Sequence, residues 1–290
     1  MSEIALPAPP DTRPARTFLG SLLRHKGAVI GLVLVAILVF TAAFAEWLAP
    51  FSPVRMGAGK RLAEPSLRHL FGTDEFGRDL FSRVVYGARL TLLIGAIAVG
   101  ISLSTGLLIG LVAGYARGWT ERVLMRLVDV LFSFTETLIA LACVAVLGPS
   151  LENAMLAVGL AAIPFYARTC YAAVLVERAK PYFEAAVAAG AGPLRLILLH
   201  LLPNVMPTMI VVATLGVSSA VLAAAALSFL GLGAQPPDPE WGAMLSGGRD
   251  FFNRAPWIML FPGLAIALTV LAFNLLGDGL REAMDPKARR

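Results

Sequence analysis

A chain of 290 residues that is 58% hydrophobic and only 15% charged cannot be an ordinary soluble domain, in which charged residues make up about a quarter. With a mean hydropathy of +0.76 it is an integral membrane protein whose immediate partner is the lipid bilayer. The net charge of +5 is spread over loops and tails without interleaved aromatics, which argues against nucleic acid as a partner and assigns the charge to membrane orientation.

In chain order, residues 1–26 are rich in Pro and Ala and carry Arg13, Arg16, Arg24 and Lys26, the composition of a cytoplasmic tail. The apolar run 27–49 exceeds a signal-peptide core and matches the roughly 20 residues a bilayer requires, so it reads as a first span. A polar segment 50–87 comes next on the periplasmic side, with Pro50, Pro53, Pro65 and the block Phe71-Gly-Thr-Asp-Glu-Phe-Gly-Arg-Asp79. Asp74 and Asp79 imitate a calcium loop but lack its full set of oxygen ligands. The block reads instead as a turn followed by a short interfacial helix.

Further apolar runs at 90–115, 123–147, 151–176, 205–232 and 256–280 complete six helices, since an open sheet cannot satisfy its backbone in lipid. Gly95, Gly100, Gly106, Gly110 and Gly114 recur along the second, a pattern that permits close helix packing. Arg117, Arg122, Arg126, Arg178, Lys180, Arg195 and the basic tail 281–290 share the side of the N-terminus, so both termini are expected in the cytoplasm. The basic residues of 50–87 blur this signal, although Glu64, Asp74, Glu75 and Asp79 offset several of them.

Between the fourth and fifth spans lies the stretch 177–204. Pro181 can start a short helix, Glu184 sits near its positive end, and Gly190 and Gly192 break it. Pro193 starts a second helix, which Pro203 is expected to stop. Ala185, Ala186, Ala188 and Ala189 leave the first helix with little side-chain bulk, which suits docking against another protein; a plain interfacial connector has the same composition.

Three carboxylates fall in the spans, where ionisable groups are expensive and functional by default. Glu136 stands near the middle of the third span with no partner in sequence. It is either a wall of a translocation path, meeting a substrate amino group, or a packed hydrogen-bonded carboxyl. Asp129 has Arg126 at i−3 as a neutralising partner, and Asp278 can reach the polar boundary.

Cys143 and Cys170 lack the paired spacing of a metal site or disulfide, and His25, His69 and His200 are isolated from one another. No residue set has the arrangement of a catalytic or metal centre. No phosphate loop occurs, so ATP and magnesium are not expected on this chain, and Leu245-Ser-Gly-Gly-Arg249 imitates an ATPase signature by coincidence.

Glu184-Ala-Ala, Gly190 and Leu202-Pro-Asn204 resemble the cytoplasmic coupling motif of ABC-importer permeases. Gly72-Thr-Asp-Glu-Phe-Gly-Arg-Asp79, Tyr86-Gly-Ala-Arg89, Met125-Arg-Leu-Val-Asp129, Leu227-Ser-Phe-Leu-Gly-Leu-Gly233, Pro239-Glu-Trp-Gly242 and Leu271-Ala-Phe-Asn-Leu-Leu-Gly-Asp-Gly279 narrow the resemblance. Over 18–287 the chain is similar to the C-type permeases of the dipeptide and oligopeptide (peptide/nickel) ABC importers.

That resemblance implies an all-helical, six-span type I permease of the bacterial inner membrane, with the permease core at 88–280. It implies non-catalytic import of di- or oligopeptides; nickel chelates and glutathione are the alternatives. The implied partners are a second, B-type permease, two ATPase subunits and a periplasmic or lipid-anchored peptide-binding protein. Glu184, Ala185, Ala186, Gly190, Arg195, Pro203 and Asn204 would then contact or position the ATPase, and Glu136 would face the path. The chain departs from the family's pattern in two places: Thr135 followed by Glu136 stands where relatives usually have proline before a small residue, and Ala223 and Ala224 stand in place of a carboxylate. A stand-alone secondary transporter would show internal repeats and broken helices with midplane charges; no repeat is visible.

Overall fold

The computed structural model describes residues 25–284, so most of the anticipated N-terminal tail and the last six residues lie outside the described part. The described residues form an all-helical protein. Helix α1 (Lys26–Ala43) is followed by the short α2 (Ala45–Leu48), and α3 (Leu80–Ala116) runs directly into α4 (Gly118–Phe132) and α5 (Glu136–Leu147). Next come α6 (Leu151–Arg178), α7 (Pro181–Ala188) and α8 (Pro193–Arg195). A π-helical turn (Leu196–Leu201) then leads into α9 (Leu202–Phe229), and α10 (Trp241–Gly248) and α11 (Trp257–Met284) complete the chain.

Among the described residues, five uninterrupted helices are long and apolar enough to cross a bilayer: α1, α3, α6, Pro193–Phe229 and α11. The third span, expected as one helix over 123–147, is instead broken, with α4 and α5 meeting at 88° across Ser133, Phe134 and Thr135. Its first half is amphipathic and holds Arg122, Arg126 and Asp129, too polar a set to lie straight through lipid. Helix α3 starts ten residues before the anticipated span. Its 37 residues extend about 55 Å, so the expected interfacial helix is the span's own first three turns.

The core is built on α3 and α6, which run parallel. A Cβ added at Gly106, Gly110 or Gly114 would lie 2.5 Å from the Cβ of Tyr166, the Cβ of Cys170 or a methyl of Val174, respectively. The four-residue spacing thus brings two backbones together where lipid supplies no hydrophobic drive. Gly100 belongs to the same sequence pattern, yet nothing lies within 4 Å of its added Cβ. Ser102 ties the pair further, its hydroxyl within reach of the Ala98 carbonyl (2.7 Å) and the Gly159 carbonyl on α6 (2.8 Å). Helices α1 and α11 pack antiparallel, Gly31 against Ala272 and Gly279 against Ala28, which places Lys26 and the end of α11 on one face. The basic residues Arg117, Arg178, Lys180 and Arg195 share that face.

On the opposite face the Phe71–Asp79 block is an ordered, charged knot rather than a simple turn. Asp79 caps α3, accepting from the Ser82 amide (2.8 Å) and hydroxyl (2.7 Å), and pairs with His69 at 2.8 Å. Asp74 accepts from Arg78 Nε at 2.5 Å and from the amides of Phe76 and Arg78. Arg83 approaches Asp74 at 3.6 Å and donates to the Pro53 carbonyl at 2.9 Å. Both aspartates are therefore occupied by donors from the protein itself. Trp241, the first residue of α10, is buried and donates from Nε1 to the Val84 carbonyl (2.9 Å), locking the loop before α10 onto α3. The Leu245–Arg249 stretch is part of α10 and the turn after it, packed against α11 through Gly248.

Candidate functional site

The stretch 177–204 forms a docked plate on the basic face. Pro181 occupies the first turn of α7, where a missing N–H costs nothing. The helix closes in a Schellman turn: the Ala191 amide donates to the Ala186 carbonyl (3.1 Å) and the Gly190 amide to the Val187 carbonyl (3.0 Å). Gly190 takes φ +78°, a conformation that strains any residue with a Cβ. Phe183 is 5% exposed and joins the main core, so it anchors the helix from below.

Glu177 holds the same helix electrostatically, accepting from Lys180 Nζ (2.5 Å) and from the Tyr182 hydroxyl (2.8 Å). Burial, reinforced by that bond, pushes the Tyr182 phenol up to about 12. Arg178 lies over the rings of Tyr115 and Phe183 and donates to the carbonyls of Gly114 and Tyr115, fastening the end of α6 to the end of α3.

Left facing outward are Glu184, Ala185, Ala188, Ala189 and Gly190, with Val187 50% and Leu194 70% exposed and Arg195 exposed beside them; Ala186 is half-buried. The result is a small-side-chain surface with an apolar rim and one carboxylate, rigidly backed. Pro203 does not stop a helix. Helical structure continues from Pro193 to Phe229, and the π turn at Leu196–Leu201 supplies the wider register that accommodates the proline ring. Asn204, exposed, donates from Nδ2 to the His200 carbonyl (2.6 Å) and covers a carbonyl of that turn.

Glu136 lies elsewhere, in the first turn of α5 just after the 88° break. It borders a cavity of about 160 Å³ with Ser102, Phe165, Tyr166, Gly216 and Ser219, and its residue is exposed on the outer surface of the chain. Asp129 does not pair with Arg126. Its Oδ1 lies 3.2 Å from Arg168 Nη1 on α6, close enough for attraction though outside hydrogen-bond geometry. Arg168 also lies over the Phe132 ring at 5.6 Å. Asp278 is exposed near the end of α11, bordering a cavity with Arg281 and Glu282.

A groove of about 590 Å³ lined by Phe165, Arg168, Thr169, Glu177, Asn204 and Thr208 runs between α6 and α9. It borders both regions: Glu177 and Asn204 belong to the plate, and Phe165 also lines the Glu136 cavity. The sequence supplied Glu184, Ala185, Ala186, Gly190, Arg195, Pro203 and Asn204 as one cluster and Glu136 as a separate residue. It did not supply Tyr166, Arg168 or Glu177. A basic residue inside the fourth apolar run was the available signal for Arg168, and the spacing of three between Glu177 and Lys180 was the signal for Glu177.

Residues 106–290 match the family of binding-protein-dependent transport system inner membrane components, and residues 13–65 match the N-terminal transmembrane domain of oligopeptide transport permease C. The chain is 48% identical over 282 residues to the di/tripeptide transport system permease protein of Pseudomonas aeruginosa, covering 95% of this chain and 93% of that protein. It is 48% identical over 289 residues to the dipeptide transport system permease protein of Escherichia coli, with 98% and 96% coverage. The glutathione transport system permease protein of Escherichia coli is 44% identical over 277 residues, with 95% and 91% coverage. A solved structure titled as an inward-facing conformation of the MetNI methionine ABC transporter superposes with a TM-score of 0.59, covering 71% of this chain and 98% of that one at 20% identity. This last likeness concerns the fold.

Proposed function

The chain belongs to the binding-protein-dependent transport system inner membrane components, and from that premise we propose that it is the permease subunit through which di- and oligopeptides enter the cell. That it is a permease of the ABC-importer type follows from the family and the fold. The near full-length similarity to dipeptide and di/tripeptide permeases is the observation that carries the cargo class.

In this reading the basic face is cytoplasmic and the Phe71–Asp79 and α10 face is periplasmic, toward the binding protein. Helix α7 lies in a cleft of an ATPase subunit. Its alanines allow close approach, Glu184 supplies a charge at the contact, and Phe183 and Glu177 make the helix move as one piece with α6. ATP-driven closure displaces the plate, and the π turn passes the displacement into α9, shifting the population between inward and outward access. A second, B-type permease completes the path, which Glu136 lines from this side. In this reading ATP is bound and hydrolysed by the partner subunits, and this chain's part is to form the path.

The test is ATPase stimulation in the reconstituted complex by dipeptides, longer peptides, glutathione and nickel chelates, each with its binding protein. Stimulation by dipeptides supports the reading. The relative named for glutathione motivates the one alternative, and stimulation by glutathione alone selects it.

A further inference from the structure

Glu136 and Tyr166 meet at a place that has no counterpart in the coupling surface. Tyr166 is 2% exposed, yet among the described residues its hydroxyl has no hydrogen-bond partner. Buried hydroxyls are nearly always partnered, because an unmade hydrogen bond costs the group its full desolvation. The surrounding chain is shaped to keep this one in place. A Cβ at Gly216 would sit 1.8 Å from the Tyr166 oxygen, and the Phe165 ring meets the Tyr166 ring edge-on at 5.7 Å. Tyr166 lines the cavity that Glu136 also lines.

The carboxylate lacks a partner as well. Among the described residues Glu136 makes no ion pair, and the cation Arg168 on α6 is held by Asp129 and the Phe132 ring. The side chain stands at the break of a membrane span, where a carboxylate without a counter-charge is costly. The two unpartnered groups ask for the same complement: a small cation with several N–H donors. A primary ammonium fits, donating to the carboxylate, to the Tyr166 oxygen and to Ser219 at the rim. The cavity of about 160 Å³ takes a chain end, and the groove of about 590 Å³ that shares Phe165 takes the remainder of the peptide.

We propose that Glu136 and Tyr166 form a binding site for the protonated α-amino end of the peptide in transit, so that this permease selects cargo inside the membrane as well as through its binding protein. The inference rests on the peptide-import reading above and adds to it a second point of selection. Ser219 and Phe165 complete the walls, and the broken third span provides the opening from which the amino end enters.

The experiment uses the assembled importer in detergent without its binding protein, so that selection outside the membrane is removed. Binding of a radiolabelled dipeptide is compared with binding of an analogue carrying a hydroxyl in place of the α-amino group. Wild type is expected to favour the amine by about tenfold or more. Glu136→Gln is expected to abolish that preference and Tyr166→Phe to reduce it severalfold, while affinity for the hydroxyl analogue stays within about twofold in both. Glu136→Asp restores part of the preference, which a merely structural role would not do. Equal affinity for amine and hydroxyl in wild type, or an unchanged preference in Glu136→Gln, overturns the site and leaves a cavity that holds only water. Failure of the fully assembled wild-type importer to take up any peptide overturns the import reading instead, so the two failures are distinct.

Discussion

Truncating Phe183 to alanine tests how the plate formed by 177–204 is held. The ring is 5% exposed and packs into the cluster that includes Leu196, Leu201 and Val174, so Phe183→Ala removes a buried aromatic from a site where α7 has few other apolar anchors. Core Phe→Ala changes cost about 3–5 kcal/mol. The lower end is expected here, about 3 kcal/mol, because the Glu177 bonds to Lys180 and Tyr182 remain. At about 1.4 kcal/mol per decade that shifts the docked-to-undocked ratio of α7 by a factor of about 100. Hydrogen exchange on the reconstituted complex reads this directly: amides of 183–191 lose protection by about two decades while those of α3 do not change. Peptide-stimulated ATPase falls with them. Unchanged protection in 183–191 with the ring removed would refute the anchoring argument.

Four further outcomes follow from the same geometry. Gly110→Leu forces a side chain where a Cβ alone would lie 2.5 Å from the Cβ of Cys170 and 2.8 Å from the Ala167 carbonyl, so α3 and α6 must separate; a loss of at least about 2 kcal/mol is expected in detergent unfolding, whereas Gly100→Leu is tolerated. Trp241→Phe keeps an aromatic ring but deletes the bond to the Val84 carbonyl, costing about 1 kcal/mol in the same assay. Pro203→Ala removes the ring that the π turn accommodates; spin-label distances between α7 and α9 are expected to shift as the turn relaxes to an α register, with impaired ATPase stimulation. Burial pushes the Glu240 carboxyl above its ordinary 4.5, opposed by the amides of Gly242 and Ala243 that it caps. A carboxyl raised in the folded state binds its proton more tightly there, so its contribution is greatest below about 4.5 and declines as pH rises through the folded value. Glu240→Gln is expected to flatten the thermal midpoint over that window.

The fold was legible wherever a single run of residues carries the signal. The positions of α1, α6, α9 and α11 follow from apolar length, and the limits of α7 follow from Pro181 and Gly190. Features set by contacts between distant residues were not legible. The partner of Asp129 is Arg168, far along the chain on α6, and only packing of α4 across α6 brings them together. Pro203 looked like a terminator because local rules assume an α register, and the π turn supplies a different one. The break before Glu136 contains neither Gly nor Pro. Its trace in the sequence is the charge of 117–129 followed by Thr135 and Glu136, a helix start inside an apolar run. Tyr166 left no trace at all: an orphan hydroxyl exists only once Gly106 and Gly216 have brought three helices around it.

The function proposed above assigns coupling to the small-side-chain surface of α7, where an ATPase subunit would dock. The decisive assay is ATP-driven uptake of a labelled dipeptide into proteoliposomes holding the assembled importer, with wild-type chain and with Ala185→Trp, an exposed position where added bulk leaves the permease fold intact but blocks close approach. A drop of at least about tenfold in uptake, with the variant still inserted and its unfolding midpoint unchanged, is the predicted result. Uptake at the wild-type rate would contradict the coupling role of α7 and move the ATPase contact to another part of the basic face.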